Sequence, residues 1–132
     1  MRRRGLADEI RIISGDHTEE AGTRAARTLL DGVALPTAVV AFNDRCALGL
    51  LDALSRAGVD VPGTVSVIGY DDSPEAQMAH ISLTTVNQDA RQQAEHAVAS
   101  AVNRLDGDRT TGQELVLAPH LVVRGTTGPS IP

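Results

Sequence analysis

The sequence predicts an α/β fold in which a parallel sheet carries helices on both faces, and three observations support this class. Short apolar, β-branched runs alternate with segments of helical periodicity, as crossover connections in a parallel sheet require. Apolar residues make up 42% of the 132 residues, but Phe42 and Tyr70 are the only aromatic ones. Ala, Val, Leu and Ile must therefore fill the core. Together with 12 glycines, such a core favours helices packed closely on a sheet over a β-sandwich.

The first predicted strand is residues 10–13, which lead into a Ser-Gly-Asp turn. A helix follows, because Thr18 can cap it and two glutamates suit the positive end of its dipole. Its apolar residues recur with helical spacing as far as Leu30, and Gly32 can end it. Residues 37–42 are continuously apolar, which predicts a second strand buried on both faces.

Asp44 is predicted to cap a second helix that stops at Gly58. This helix has two apolar stripes, although a helix lying on a sheet needs only one. The second stripe consists of Cys46, Leu50, Ala53 and Ala57. It predicts a further contact, which is either a subunit interface or packing against another segment of this chain.

Residues 65–68 predict a third strand. Ser73 can cap a short helix whose first turn contains Pro74, because proline is tolerated at the first helical position. Residues 83–86 are again rich in β-forming types.

A long helix is predicted from Asp89 to Leu105. Its apolar face includes Ala94, Ala97, Val98, Ala101 and Leu105. Short strands at 115–117 and 121–123 follow, and the Gly-, Thr- and Pro-rich end of the chain from Gly125 predicts a loose tail.

Composition excludes several classes of protein. The net charge is −5 although Arg2, Arg3 and Arg4 are clustered, so the rest of the chain is more acidic still and repels phosphate backbones. The single cysteine excludes an internal disulfide and fits a reducing compartment. No apolar run reaches the length of a membrane span, and the N-terminus has no signal-peptide core. We therefore expect a cytoplasmic protein without nucleic-acid or membrane contact of its own.

Polar side chains follow each of the first three predicted strands. They are Asp16 and His17, Asn43 and Asp44, and Asp71 and Asp72. Ligands of parallel sheets bind beyond the carboxyl ends of the strands. Carboxylates and amides make paired hydrogen bonds to neighbouring hydroxyls of sugars and polyols, and a His ring adds a flat face. Asp71, Asn43 and His17 are therefore candidate polyol contacts, whereas Asp44 and Asp72 are interpreted as helix caps.

Catalytic and metal sites are not predicted. Strand-end aspartates also suit the magnesium and phosphoryl chemistry of receiver domains, but that chemistry usually needs a lysine, and the chain has none. The four histidines are too scattered for a zinc site. Glycine-rich phosphate loops and the G-x-S-x-G elbow are also absent from the sequence. We expect no enzyme, no metal and no cofactor.

Three segments together resemble the LacI/GalR-type (lactose/galactose repressor) family of transcriptional regulators. They are PTAVVAFND at 36–44 with ALG at 47–49, VSVIGYDD at 65–72 with LTTVNQ at 83–88, and LVVRGTT at 121–127. In this order and spacing the resemblance covers roughly residues 5–127.

The resemblance implies an effector-sensing domain of the periplasmic-binding-protein-like type I, which the family builds from two α/β subdomains around a ligand cleft. It implies that the effector is contacted by Asp71, Asn43, His17, Gln88 and Arg2. It implies a homodimer whose interface combines the second stripe of Cys46, Leu50, Ala53 and Ala57 with Ser73, Ala76 and Leu83. DNA contact belongs to a helix-turn-helix that this sequence does not contain.

The resemblance also makes residues 1–127 a partial effector-binding domain, with 128–132 as a flexible tail. In the family, the segment at 88–118 belongs to the other subdomain. The apolar face of the long helix is thus expected to fold back on this domain or to pair with a second chain. Three alternatives stay open: a periplasmic or transport sugar-binding protein, a fragment that binds no ligand, and a receiver-like domain. The effector's identity is beyond the sequence.

Overall fold

The computed structural model describes residue 5, residues 8–105 and residues 116–129. Its helices are α1 (Glu19–Leu30), α2 (Asp44–Arg56) and α3 (Ala90–Leu105), with a 3₁₀ turn at Glu75–Gln77. Its strands are β1 (Ala38–Val40), β2 (Ser66–Ile68), β3 (Thr85–Asn87) and β4 (His120–Val122). β1 and β2 pair in parallel, and β3 pairs antiparallel with β4. The parallel pair is joined through α2, which confirms the predicted α/β class.

Small aliphatic side chains fill the core between the helices and the β1–β2 sheet, as the composition predicts. The buried cluster consists of Ala26, Leu29, Ala47, Leu50, Leu54, Val65, Val67, Ala76 and Leu83. Both α1 and α2 contribute to it from one apolar face. No aromatic ring belongs to this cluster, so the aromatic residues are left for the surface and for the ends of the strands.

Two glycines bring α1 and α2 into close contact. A Cβ atom on Gly22 would overlap the carbonyl oxygen of Cys46, and one on Gly49 would overlap the carbonyl oxygen of Glu19. The backbones of the two helices are therefore in direct contact, and together the helices contribute much of the core.

The start of α1 is as predicted, since the Thr18 hydroxyl accepts a 3.2 Å hydrogen bond from the amide of Ala21.

The predicted strand at residues 10–13 is wrong. These residues have no regular secondary structure and no strand partner, and the Ile12 side chain is 87% exposed. A groove of about 510 Å³ separates residues 9–17 from β1. β-Propensity alone cannot make a strand, because a strand needs a neighbour that accepts and donates its backbone hydrogen bonds.

The expected burial of the second strand on both faces is also wrong. Val40 is 76% exposed and Phe42 is 69% exposed, whereas Val39 packs against the core. Within the described residues, only one face of β1 is covered. A continuous apolar run predicts a strand but does not say what covers its second face.

Two of the four residues in the second stripe of α2 make their contact inside the chain, which was the alternative to a subunit interface. Cys46 and Leu50 are buried beside α1, and the Cys46 thiol donates to the carbonyl oxygen of Asp16 at 2.9 Å. Ala76 and Leu83 are buried in the core as well. These four assignments to a dimer interface are therefore wrong. The other assigned residues are nearer the surface, since Ala53 and Ser73 are half-buried and Ala57 is exposed. Their place in a dimer interface stays a prediction.

The expectation that α3 folds back on the domain is wrong, because none of its residues is buried. Pairing of α3 with a second chain stays a prediction.

No helix among the described residues is both long enough and apolar enough to span a membrane.

The expected loose tail from Gly125 is wrong at its start. Thr126 is buried, and its hydroxyl donates to the carbonyl oxygen of Val67 at 2.7 Å. That hydroxyl also accepts a 2.9 Å bond from the amide of Thr84. The strand predicted at 121–123 is present as β4, but Val116 and Leu117 form no strand, and Leu115 lies outside the described residues, as do residues 130–132.

Candidate functional site

A cleft of about 560 Å³ opens at the carboxyl ends of β1 and β2. It is lined by His17, Phe42, Asn43, Tyr70, Asp71 and Gln88. Four of the five predicted effector contacts are therefore brought together, and they come from the turn before α1, from the two strand ends and from the residue after β3. The fifth, Arg2, lies outside the described residues.

Asp71 supplies the carboxylate of the cleft. Its backbone has a φ of 122°, in the region that favours glycine, and its amide donates to the carbonyl oxygen of Val86 at 2.9 Å. The Gln88 side-chain amide donates to its Oδ1 at 2.8 Å. Gln88 therefore orients the carboxylate and leaves lone pairs free for further donors.

Partial burial raises the pKa of the Asp71 carboxyl above 3.8, and the nearby charge of Asp44 adds to this rise, while the Gln88 bond opposes it. The native state then binds the Asp71 proton more tightly than the unfolded chain does. Stability contributed by this group is fully present at low pH and is lost as the pH rises through the raised pKa. At neutral pH the ionised carboxylate is thus a cost to folding.

We expect Asp71→Asn to raise the urea midpoint of unfolding at pH 7 and to change it much less at pH 3, where wild-type Asp71 is protonated. Asn also tolerates a positive φ. Asp52→Asn is the matched control, because Asp52 is exposed and pairs with Arg56 on the surface, where an ion pair contributes little. A lower midpoint for Asp71→Asn than for wild type at pH 7 would contradict this assignment.

Asn43, not Asp44, caps α2, so the predicted cap is wrong by one residue. The Asn43 Oδ1 accepts a 2.9 Å bond from the amide of Cys46, and its Nδ2 donates to the carbonyl oxygen of His17 at 3.2 Å. Asn43 thereby ties the turn that carries His17 to the start of α2. Asn43 also lines the cleft, and its side chain has a second amide hydrogen and a further lone pair for a ligand.

Asp44 is instead a buried structural carboxylate. It accepts hydrogen bonds from the Thr85 hydroxyl at 2.6 Å and from the Ser73 amide at 2.7 Å. A Cβ on Gly69 would overlap its Oδ1, so glycine there makes room for it. Asp44 thus joins the end of β1 to β3 and to the turn after β2.

Asp72 is not a helix cap either. Its carboxylate accepts from the Arg124 guanidinium at 2.5 Å and from the Asn87 amide at 2.9 Å. Because both charges are largely buried, their hydrogen bonds offset the loss of hydration. Asp72 connects the turn after β2 to the C-terminal segment, a role that local sequence could not indicate.

Two aromatic residues of the cleft were not among the predicted contacts. Phe42 lies edge-to-face with His17, at a ring-centroid distance of 4.3 Å and an interplanar angle of 63°. Tyr70 follows the neighbouring strand β2 and also lines the cleft. The available signal was their position, since Phe42 directly precedes Asn43 and Tyr70 directly precedes Asp71.

The arrangement suits binding more than nucleophilic chemistry. A carboxylate and two amides can hydrogen-bond neighbouring hydroxyls, and the aromatic rings can pack on an apolar C–H face. Burial raises the pKa of the Cys46 thiol, which disfavours the reactive thiolate. Among the described residues, no three His, Cys, Asp or Glu side chains are grouped closely enough to hold a metal ion.

Comparison with known proteins identifies relatives. The profile of a periplasmic binding protein-like domain family matches residues 1–127. The transcriptional regulator DegA of Bacillus subtilis is 41% identical over 124 residues, which cover 92% of this chain and 36% of DegA. The chain spans about a third of the length of the curated relatives it matches.

Solved structures with the same fold are similar over most of this chain. One is a LacI transcriptional regulator from a Rhodococcus species, with a TM-score of 0.89, 50% identity, and coverage of 98% of this chain and 47% of that one. Another is the transcriptional regulator CelR in complex with cellobiose, with a TM-score of 0.78, 35% identity, and coverage of 95% of this chain and 40% of that one.

Proposed function

This chain belongs to the periplasmic-binding-protein-like family of LacI-type transcriptional regulators, and from that premise we propose that it binds a small sugar or sugar-like effector in the cleft at the strand ends. The observation that carries the proposal is the convergence of Asp71, Asn43 and Gln88 with His17 and Phe42 in one cleft. The cellobiose complex of CelR supports the choice of a sugar.

The residues that line the cleft are of two chemical kinds, polar and aromatic, and a sugar ring likewise has a polar edge and an apolar face. Asp71 and Gln88 present an acceptor and a donor about one hydrogen bond apart, which matches two neighbouring hydroxyls. The Phe42 ring is 69% exposed and lies edge-to-face with His17, so it offers an apolar surface on which the C–H face of a sugar can pack. A ligand that is polar at its edge and apolar on its face can therefore contact both kinds of residue.

The charges of the residues that line the cleft further restrict which effectors can bind. The six described residues that line the cleft include one carboxylate and no arginine. A phosphorylated sugar would place its charge against Asp71, whereas a neutral sugar or nucleoside would not. The proposed effector is a neutral one.

The experiment is a thermal-shift panel of neutral mono- and disaccharides and nucleosides, each with its phosphorylated counterpart where one exists. At least one neutral compound is expected to raise the melting temperature in a dose-dependent way, because a ligand that binds only the native state stabilises it by mass action. Its phosphorylated counterpart is expected to give a smaller shift. If no compound raises the melting temperature, the alternative of a chain that binds no ligand is favoured.

The chain senses the effector and does not catalyse a reaction or contact DNA. In a complete regulator, the effector would bias the relative orientation of two subdomains, and so the spacing of the DNA-binding heads. The net charge of −5 supports the absence of DNA contact by this part. A gel-shift titration with operator DNA is expected to show no specific complex with this chain.

Self-association is the second part of the proposal. The exposed α3 carries an apolar face that includes Val98 and Leu105, and a second copy would cover it. Sedimentation equilibrium at micromolar concentration is expected to give the mass of a dimer. Val98→Glu is expected to give a monomer, because a charge inside an apolar contact is costly.

Arg91→Gln is the control for that experiment, since Arg91 pairs with Glu95 on the exposed surface of the same helix. It is expected to leave the dimer intact. A well-folded monomer for the unmodified chain would contradict self-association through α3.

A further inference from the structure

The turn that presents Asp71 to the cleft has an unfavourable backbone. Asp71 and Asp72 are consecutive residues with φ values of 122° and 56°, in the left-handed region that residues with a Cβ avoid. Two such residues in a row persist only where surrounding contacts hold them. Contacts from other side chains must therefore stabilise the backbone of Asp71 and Asp72 in this conformation.

The strongest contacts on this turn come from far along the chain. The Arg124 guanidinium donates from Nη2 to Oδ1 of Asp72 at 2.5 Å and from Nη1 to the carbonyl oxygen of Leu83 at 2.9 Å. The Arg124 and Asp72 side chains are only 19% and 10% exposed. Asn87 donates to the second carboxylate oxygen of Asp72 at 2.9 Å. Asp72 is thus fixed from two directions.

We propose that Arg124 is a positioning residue of the effector site, which acts through Asp72 to hold the turn in the one conformation that places Asp71 against Gln88. Arg124 does not line the cleft. The importance of this role for effector binding rests on the proposed function, but the effect on the turn does not.

Arginine suits this task better than lysine. Its planar guanidinium supplies several donors in a fixed fork, so one side chain can bridge the Leu83 carbonyl and the Asp72 carboxylate at once. A lysine ammonium retains the charge but cannot hold both acceptors in the same geometry. Arg124→Lys is therefore expected to hold the turn at Asp71 and Asp72 less well than arginine does, but better than Arg124→Gln.

Two measurements detect a change in the conformation of this turn without any ligand. Tyr70 is the single tyrosine and the chain has no tryptophan, so intrinsic fluorescence comes from the residue next to Asp71. The Asp71 carboxyl can be titrated by carbon NMR, and its raised pKa depends on partial burial in the turn. Neither readout changes if Arg124 merely anchors the C-terminal segment.

The experiment compares wild type, Arg124→Gln, Arg124→Lys and Asp72→Asn, with Arg91→Gln as a control that removes an exposed guanidinium from α3. In Arg124→Gln we expect Tyr70 to become more accessible to acrylamide and the Asp71 pKa to return toward its ordinary value. Arg124→Lys is expected to lie between Arg124→Gln and wild type, and Arg91→Gln to match wild type. Far-UV circular dichroism checks that each variant keeps its helices.

If Arg124→Gln does not fold, Asp72→Asn tests the same link from its other end, because it removes the charge and leaves only one of the two oxygens that accept from Arg124 and Asn87. Unchanged Tyr70 quenching and an unchanged Asp71 pKa in a folded variant would overturn the proposal. Failure of the sugar panel would overturn the proposed function alone, since both readouts are measured without sugar.

Discussion

Replacing Asp71 with Gly is expected to remove most of the sugar affinity of the cleft while leaving the protein at least as stable. Hydrogen bonds to a charged group contribute about 1.5–3 kcal/mol each, so loss of this carboxylate should weaken binding roughly ten- to hundredfold. Glycine is the appropriate substitution because the φ of 122° at this position favours it. Removal of a partly buried charge also favours the folded state at neutral pH.

The measurement is isothermal titration calorimetry with the sugar that gives the largest thermal shift, together with urea unfolding of the same samples. Asp52→Gly is a poor control because it would place glycine inside α2, so Asp52→Ala serves instead. It removes an exposed carboxylate and is expected to bind like wild type. Opposite changes in affinity and stability cannot arise from partial unfolding. Unchanged affinity in Asp71→Gly would remove Asp71 from the site.

Replacing Gly49 with Ala is expected to destabilise the folded protein strongly. The new Cβ would overlap the carbonyl oxygen of Glu19, which belongs to the backbone of α1 and cannot rotate away. Overpacking a core typically costs about 1–3 kcal/mol, and a clash between two helix backbones should cost at least the upper end of this range. Domains of this kind unfold with about 5–15 kcal/mol, so the loss is a large fraction of the total.

The measurement is urea unfolding followed by far-UV circular dichroism. Gly15→Ala is the matched control, because its Cβ would meet only the Ala21 methyl group at 3.4 Å, an ordinary contact. Its effect is expected to stay within about 0.5 kcal/mol. Equal stability of Gly49→Ala and Gly15→Ala would show that α1 and α2 separate at little cost, which contradicts the observed packing.

Sequence patterns within a few residues correctly predicted the features that depend only on neighbouring residues. Thr18 caps α1 as expected, because a cap depends on residues within one turn. Asn43 and Asp44 are both good caps, and the choice between them depends on Thr85 and Ser73, which claim the Asp44 carboxylate from distant positions. The sequence shows two adjacent candidates but not the long-range contact that separates their roles.

The same distinction explains the other errors. Residues 10–13 have β-propensity, but a strand also needs a partner, and none is bonded to them among the described residues. The second stripe of α2 correctly predicted an extra contact, but periodicity could not tell that α1 covers Cys46 and Leu50. Convergence of His17, Asn43 and Asp71 was predictable because parallel strands end at one edge of a sheet.

Hydrogen-exchange mass spectrometry with and without the sugar that gives the largest thermal shift tests whether the effector binds in the cleft. We predict slower exchange at saturating sugar in the turn around His17, in residues 70–72 and in residues 87–88, because those segments carry the lining residues of the cleft. Exchange in α3 is predicted to be unchanged. Protection confined to residues outside the cleft, or no protection at a sugar concentration that raises the melting temperature, would contradict it.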